Sequence, residues 1–299
     1  MNNHLFSYLA LFFGVFALST SAIFVKLAHA PSGITAFYRL FFTFLILLPF
    51  LLADKKNWRQ LSSLSGKEWG LGLLSGLLLG IHYVLWFESL RYTSTASSTV
   101  IVSLQPLFAI AGGFFLFGEC LNKNAFIGCA VAIMGCFIIG WGDFQLSSQA
   151  LFGDLLAFLA AGIITAYFFI GQVLRKKLSV IPYSILGYGS SSLFLALYAI
   201  IQRNSFIQYP LQTWAAFLGL ALIATIFGQM VFNWLLQWLS ATVISIGILG
   251  EPVGTCILAY FILHEVISLR QAIGIGIILT GMALFLSQNK ISAETAPHE

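Results

Sequence analysis

Charge is what this sequence has least of. Of 299 residues only 14 are Lys or Arg and 10 are Asp or Glu, 8% in all, where an ordinary soluble domain carries roughly 25%. So few charges cannot coat a water-soluble particle of this length, which excludes a soluble enzyme, a nucleic-acid-binding domain and a disordered scaffold. Segments of about ten residues alternating apolar and polar, the mark of a membrane β-strand, are also missing, because runs such as Leu40 to Leu52 are apolar at nearly every position. No HExxH, phosphate loop or GxSxG elbow is present. The four cysteines, Cys120, Cys129, Cys136 and Cys256, form no CxxC pair and suggest neither a disulfide framework nor a metal site. Nothing implies a redox cofactor, a nucleotide or a metal.

What the sequence has is hydrocarbon: 59% apolar residues, 29 of them Phe. A helix needs about 20 largely apolar residues to cross a bilayer with its backbone satisfied. Ten such runs occur, at 5–26, 34–53, 69–90, 96–118, 123–141, 151–173, 182–201, 213–237, 241–263 and 269–287. The expected fold is therefore an all-α membrane protein of ten transmembrane helices. The first run has neither a basic leader nor a small-residue cleavage site before the second and is expected to be retained. Asp54 to Glu68 is the longest connection, too short for a soluble domain, and 288–299 reads as a disordered tail.

Basic residues set the expected orientation. With a cytoplasmic N-terminus the inner segments hold Lys55, Lys56, Arg59, Lys67, Lys123, Arg175, Lys176, Lys177 and Lys290, against Arg91, Arg203 and Arg270 outside, with Lys26 and Arg39 at span ends. The positive-inside bias places both termini in the cytoplasm of a plasma or inner membrane.

Sliding the chain by 146 positions sets Pro106 on Pro252, Glu119 on Glu265, Gly128 on Gly274, Gly135 on Gly281, Ser94 on Ser240 and Gln105 on Glu251. Two repeats follow, 1–142 and 143–287, each of five spans. Five is odd, so the second repeat enters the membrane from the opposite side. Inverted repeats related by a pseudo-two-fold axis in the membrane plane are the architecture of alternating-access carriers; a static duplicated scaffold is the alternative.

Several strings carry a family resemblance: Phe37-Tyr38-Arg39-Leu40, Ser89-Leu90-Arg91-Tyr92-Thr93-Ser94, Gly250-Glu251-Pro252, and the span endings Gly118-Glu119 and His264-Glu265. With them the chain resembles the EamA-type ten-helix carriers of the drug/metabolite transporter superfamily across residues 5–287. The first span departs from that pattern, reading Phe16-Ala17-Leu18-Ser19-Thr20-Ser21 without the Trp-Gly that many members carry. The resemblance implies movement of amino acids, nucleosides, metabolites or toxic compounds, usually outward. It also implies a role for Lys26 and Arg39 in guarding the outer mouth or holding a substrate carboxylate, beside the simpler reading that both snorkel to headgroups.

A charge at membrane depth costs at least about 2.5 kcal/mol, so one that persists faces a cavity or a partner. Glu251 is the deepest, beside Pro252 and among Gly247, Gly250 and Gly254. It reads either as a substrate-amine or proton site or as a structural carboxyl at a kink. Gln105 and Pro106 repeat the arrangement without the charge, and both prolines are expected to let their spans bend. His82 and Trp86 share a face of the third span; His82 either lines the cavity or bonds a neighbouring helix. Glu88 pairs with Arg91 or faces the transport route. Gly72, Gly76 and Gly80 read as a packing face, as does Gly187 to Ser192. Glu119 and Glu265 suit structural roles ahead of the positive ends of the fifth and tenth helices. Asn233, Gln229 and Trp234 are candidate cavity liners, Trp234 equally an interfacial residue with Trp238.

The function expected from the sequence is export of a small organic solute, an amino acid or related metabolite, by alternating access. Glu251, Gln105, His82, Trp86, Asn233 and Arg39 are the candidate substrate residues, and Pro106 and Pro252 the hinges. The partners expected are the solute and the lipid bilayer. A membrane scaffold or sensor that transports nothing is the rival class.

Overall fold

The computed structural model describes residues 3–140, 148–262, 264 and 266–288, and among these it is helical with no strand. Helices α1 (Asn3–Ala28), α2 (Ser32–Ala53), α4 (Gly66–Tyr92), α8 (Ser148–Leu174) and α9 (Val180–Ile201) are continuous. Three further spans are composite: α5 (Thr95–Val102) with α6 (Gln105–Phe117), α10 (Leu211–Gly219) with a π-helical segment Leu220–Gln229 and α11 (Met230–Leu235), and α12 (Ala241–Ile248) with α13 (Glu251–Ile262). These eight are long and apolar enough to cross a membrane. The remaining two expected spans correspond to shorter apolar helices, Lys123–Ile139 and Leu269–Phe285, within α7 (Lys123–Gly140) and α14 (Leu269–Gln288). Length and composition thus yield eight spans where the sequence pattern gave ten. The join between the repeats at 142 and 143, together with Glu265 and Lys290, lies outside the described residues.

The fourth and ninth spans are broken rather than bent. After α5 the chain makes a tight turn through Ser103 and Leu104, with Leu104 N–H donating to Ile101 O, and a new helix starts at Gln105. After α12, Leu249 N–H donates to Ile246 O and Gly250 N–H to Gly247 O before α13 starts at Glu251. Pro106 and Pro252 each occupy the second position of a new helix, where the absent N–H costs nothing and the fixed φ suits the first turn. Both α5 and α12 are capped alike: Ser94 Oγ accepts from Ser97 N–H at 3.0 Å and Ser240 Oγ from Val243 N–H at 3.4 Å.

The correspondence extends to packing. Serine 19 shares its hydroxyl between Val15 O at 2.9 Å and Glu251 O at 3.1 Å. Thr165, 146 positions later, donates to Ala161 O at 2.8 Å and reaches Gln105 O at 3.5 Å. Helices α7 and α14 cross antiparallel on the four aligned glycines. A Cβ on Gly128 would stand 2.8 Å from Gly281 O, and one on Gly135 would stand 2.8 Å from Gly274 O. The two small-residue faces read from the sequence also meet each other: Gly76 lies against Ser190 and Gly187 O, and Gly80 against Ser191 and Phe194.

The connection from Asp54 to Glu68 contains a helix the hydrophobic pattern does not show, α3 (Lys55–Ser62), capped by Asp54 and buried only at Asn57 and Leu61. A capping box at Ser65 and Glu68 then opens α4. Ser179 binds Asn57 and Gln60, and Lys177 pairs with Glu68, so α3 and the start of α4 are tied to the turn between α8 and α9.

The glycine seam makes a sharp prediction. Gly281→Ala puts a methyl 2.4 Å from Ala132 N and 2.6 Å from Gly128 O, an overpacking cost of about 1–3 kcal/mol. Its melting temperature in detergent should fall by several degrees, whereas Gly276→Ala, where a Cβ meets nothing within 4 Å, should melt like the parent chain.

Candidate functional site

The two breaks face each other across a small internal cavity. Its walls are Leu18, His82, Tyr83, Trp86, Val102, Gln105, Ile164, Phe168, Gln229, Ile248 and Glu251, and its volume is about 20 Å³. That is room for one water molecule, so the site is closed around its centre. Four expected site residues, Glu251, Gln105, His82 and Trp86, meet here, as does Gln229.

The walls are chemically two-sided. His82 Nδ1 lies 3.0 Å from Ala160 O; since a carbonyl only accepts, that nitrogen carries the proton, and in the neutral ring Nε2 is left as an acceptor. His82 thus both bonds a neighbouring helix and lines the cavity, stacking on Trp86 with ring centroids 5.9 Å apart. Tyr83 Oη, Trp86 Nε1, Gln105 Oε1 and Gln229 Nε2 are buried without a hydrogen-bond partner. Glu251 is 2% exposed and has Arg39 as its nearby counter-charge. Orphaned buried polar groups are costly, at about 1–3 kcal/mol each, and four of those in the described residues line this one cavity.

Arg39 stands behind this wall rather than in it. It is fully buried, which rules out snorkelling. Its Nε donates to Thr225 Oγ1 at 2.8 Å and its Nη1 to Ser21 Oγ at 2.6 Å, while the guanidinium lies 4.2 Å from the Tyr83 ring centroid. One planar cation thereby joins α1, α2, α4 and the π-helical segment, and Nη2 has no partner. The wider winding of that segment lets Thr225 donate to Leu220 O, five residues back, while accepting from Arg39.

Asn233 falls elsewhere. Its Oδ1 accepts from Tyr167 Oη at 2.9 Å and its Nδ2 donates to Tyr188 Oη at 3.1 Å, in a buried network away from the cavity lining. Arg175, counted above among the inner surface charges, closes the same network: it is 5% exposed, with Nε on Asn233 O at 2.8 Å and Nη1 on Leu178 O. Burial pulls its guanidinium down to about 10, still charged at neutral pH. Trp234 packs edge-on against Trp238 and Phe6, and does not line the cavity. Glu119 is structural, through side chains rather than a helix end: it accepts from Gln172 Nε2 at 3.0 Å and Thr242 Oγ1 at 2.7 Å, joining the two repeats.

At the end of the bundle carrying the α1–α2 turn lies a vestibule of about 720 Å³. Lys26, His29, Thr35, Phe87 and Arg91 are among its walls. Lys26 Nζ donates to Leu90 O at 3.0 Å, and Glu88 pairs with Arg91 at 3.3 Å, as one of its two sequence readings required. Tyr83, Ser21, Thr225 and the tyrosine network had no place among the sequence candidates. Tyr83 lay beside His82 in a span already suspected, but hydroxyls and phenols are too common in membrane helices to stand out.

A duplicated bundle of membrane-spanning helices, closed around a polar cavity at two paired helix breaks, defines a membrane transporter. The EamA-like transporter family matches residues 5–141 and 151–287, and the chain belongs to that family. An uncharacterized transporter of Archaeoglobus fulgidus is 26% identical over 270 residues, covering 88% of this chain and 91% of its own. The S-adenosylmethionine uptake transporter of Rickettsia prowazekii is 25% identical over 270 residues, covering 88% and 85%. A solved crystal structure superposes with a TM-score of 0.78 at 17% identity, over 97% of this chain and 99% of the other, and shares the fold.

The bonding of Asn233 separates a structural from a transport role. Asn233→Ala orphans two tyrosine hydroxyls and should cost about 1–3 kcal/mol, seen as a lower melting temperature, while leaving the half-saturating solute concentration in exchange assays unchanged.

Proposed function

We propose that the chain is a ten-span carrier with inverted repeats over 1–142 and 143–287, which moves a small solute bearing both an ammonium and a carboxylate group, an amino acid or related metabolite, out of the cell by alternating access. One observation carries the reading: unpartnered donors and acceptors of both kinds surround the cavity between Gln105 and Glu251. Glu251, Gln105 Oε1 and His82 Nε2 suit an ammonium. Tyr83 Oη, Trp86 Nε1 and Gln229 Nε2 suit a carboxylate, with Arg39 behind them supplying positive field. The cavity has room for one water only, so the solute enters when the walls part.

The breaks supply the means. Each half-helix pivots at a turn with few backbone bonds to lose, Leu249–Gly250 or Ser103–Leu104, while the capped half-helices stay rigid. Counter-positioned hydroxyls, Ser19 on Glu251 O and Thr165 on Gln105 O, release and re-form as one repeat takes up the conformation of the other. In this reading both termini are cytoplasmic and the vestibule opens outward from the cell membrane.

Counterflow in proteoliposomes tests it. Zwitterionic amino acids should exchange with saturation; S-adenosylmethionine, the cargo named for the Rickettsia relative, carries the same two groups and belongs in the panel together with nucleosides. Conductance without saturation, or no exchange of any member, counts against the carrier. Glu251→Gln removes a charge-assisted hydrogen bond and should weaken ammonium-bearing solutes by about tenfold or more. If Glu251 also carries a transported proton, the same variant flattens the pH profile of uptake; weaker affinity with an unaltered pH profile assigns the residue to the solute alone. Amino acids accumulating in the medium of overexpressing cells would fix the direction as outward.

A further inference from the structure

The vestibule is more than a passage. Its volume, about 720 Å³, far exceeds the 20 Å³ of the central cavity, and its charge is of one sign. Lys26 from α1, His29 from the turn that follows and Arg91 from the last turn of α4 line it, and among the described residues no carboxylate does. Lys26 is held in place by the bond from Nζ to Leu90 O. His29 is fixed in a left-handed backbone conformation, φ 45°, at the corner between α1 and α2. Glu88 engages Arg91 through Nη1 at 3.3 Å, with the arginine side chain 62% exposed, and offsets part of this charge, but Lys26 and Arg91 against one carboxylate leave the balance of the field positive. A cleft walled by low-dielectric spans concentrates that field.

The vestibule and the central site are both walled in part by α1 and α4. Thr35 lies one turn before Arg39 on α2, and Phe87 one turn after Tyr83 on α4, with the Arg39 guanidinium 5.9 Å from the Phe87 ring centroid. The vestibule wall at Thr35 is therefore one helical turn from the cation whose Nη2 lacks a partner. We propose that the vestibule is a second binding station, selective for the carboxylate or phosphate group of a soluble anionic solute, reached before or after the central site. The soluble source is favoured over a lipid headgroup because the walls come from the facing ends of α1, α2 and α4, and an apolar groove of about 350 Å³ bounded by Phe12, Phe16 and Ile257 shares no lining residue with them. The station's role rests on the carrier reading, but the binding itself does not.

The test uses the full chain in phosphatidylcholine nanodiscs, titrated calorimetrically with citrate. Binding should saturate, weaken as salt shortens the screening length from about 10 Å at 0.1 M to about 3 Å at 1 M, and weaken by about tenfold in the Lys26→Gln/Arg91→Gln double variant. Arg91→Gln alone, at an exposed side chain that packing does not need, should still lose about threefold with an unchanged melting temperature, so the proposal stays decidable if the double variant fails to fold. Citrate binding is read without transport, so a chain that binds citrate but exchanges no solute fails the central-site reading alone, whereas one that exchanges solute but binds no citrate fails this station alone. The proposal is overturned if the parent shows no saturable heat, if Arg91→Gln binds citrate as tightly as the parent, or if phosphatidylglycerol in the disc displaces citrate, which would make this a headgroup site.

Discussion

Hydrocarbon permits no unpaired backbone, and that constraint governs where this chain can be anything other than a helix. Interrupting a span is tolerable only where the freed groups are enclosed by protein. Here the interruptions fall at matched depths in two spans, each beginning again on a proline in its first turn, and each steadied by a hydroxyl from a span of the other repeat. The polar side chains at the two restarts, Gln105 and Glu251, consequently line the same small cavity in the bundle's centre. Cavity and paired breaks share one origin.

Around that centre the bonding is uneven. Groups that hold elements together are saturated: Asn233 with two tyrosines, Glu119 with Gln172 and Thr242, Ser179 with Asn57 and Gln60. Facing the cavity, Tyr83 Oη, Trp86 Nε1, Gln105 Oε1 and Gln229 Nε2 have no partner, whereas His82 is bonded to Ala160 O. Arg39 belongs to both sets, with three of its faces engaged by Ser21, Thr225 and Tyr83 and one nitrogen left over. Such a residue transmits: whatever pulls on its unused nitrogen strains bonds to three other elements.

Much of this was legible in the residues themselves. Long apolar runs marked out ten spans, eight of which are long and apolar enough in the structure to cross a membrane, and the 146-residue offset set Pro106 on Pro252 and Gly128 on Gly274. The polar exceptions Glu251, Gln105 and His82 could be picked out because membrane depth makes polarity conspicuous. What escaped was set by three-dimensional context. The π-helical winding of Leu220–Gln229 leaves no mark in an apolar string, since every residue there suits an α-helix as well. Helix α3 is short and mostly polar, so a search for long apolar runs passes over it. Asn233 and Trp234 were suspected for the right reason, polarity or amphipathy at depth, yet only packing tells a side chain saturated by tyrosines from one waiting for a guest. Arg39 illustrates the converse: its position near a span end suggested a headgroup partner, and tertiary contacts drew it inward.

The crossing of α7 and α14 carries a historical implication. Gly128 meets Gly281, whose counterpart in the other repeat is Gly135; Gly135 meets Gly274, the counterpart of Gly128. This is the reciprocity of an isologous contact, the kind made by two identical molecules about a shared axis. Each half thus still wears a surface shaped to receive its own twin, as an unfused ancestor pairing with a second copy would have needed, and a residue gained on one side of the seam has to be answered on the other.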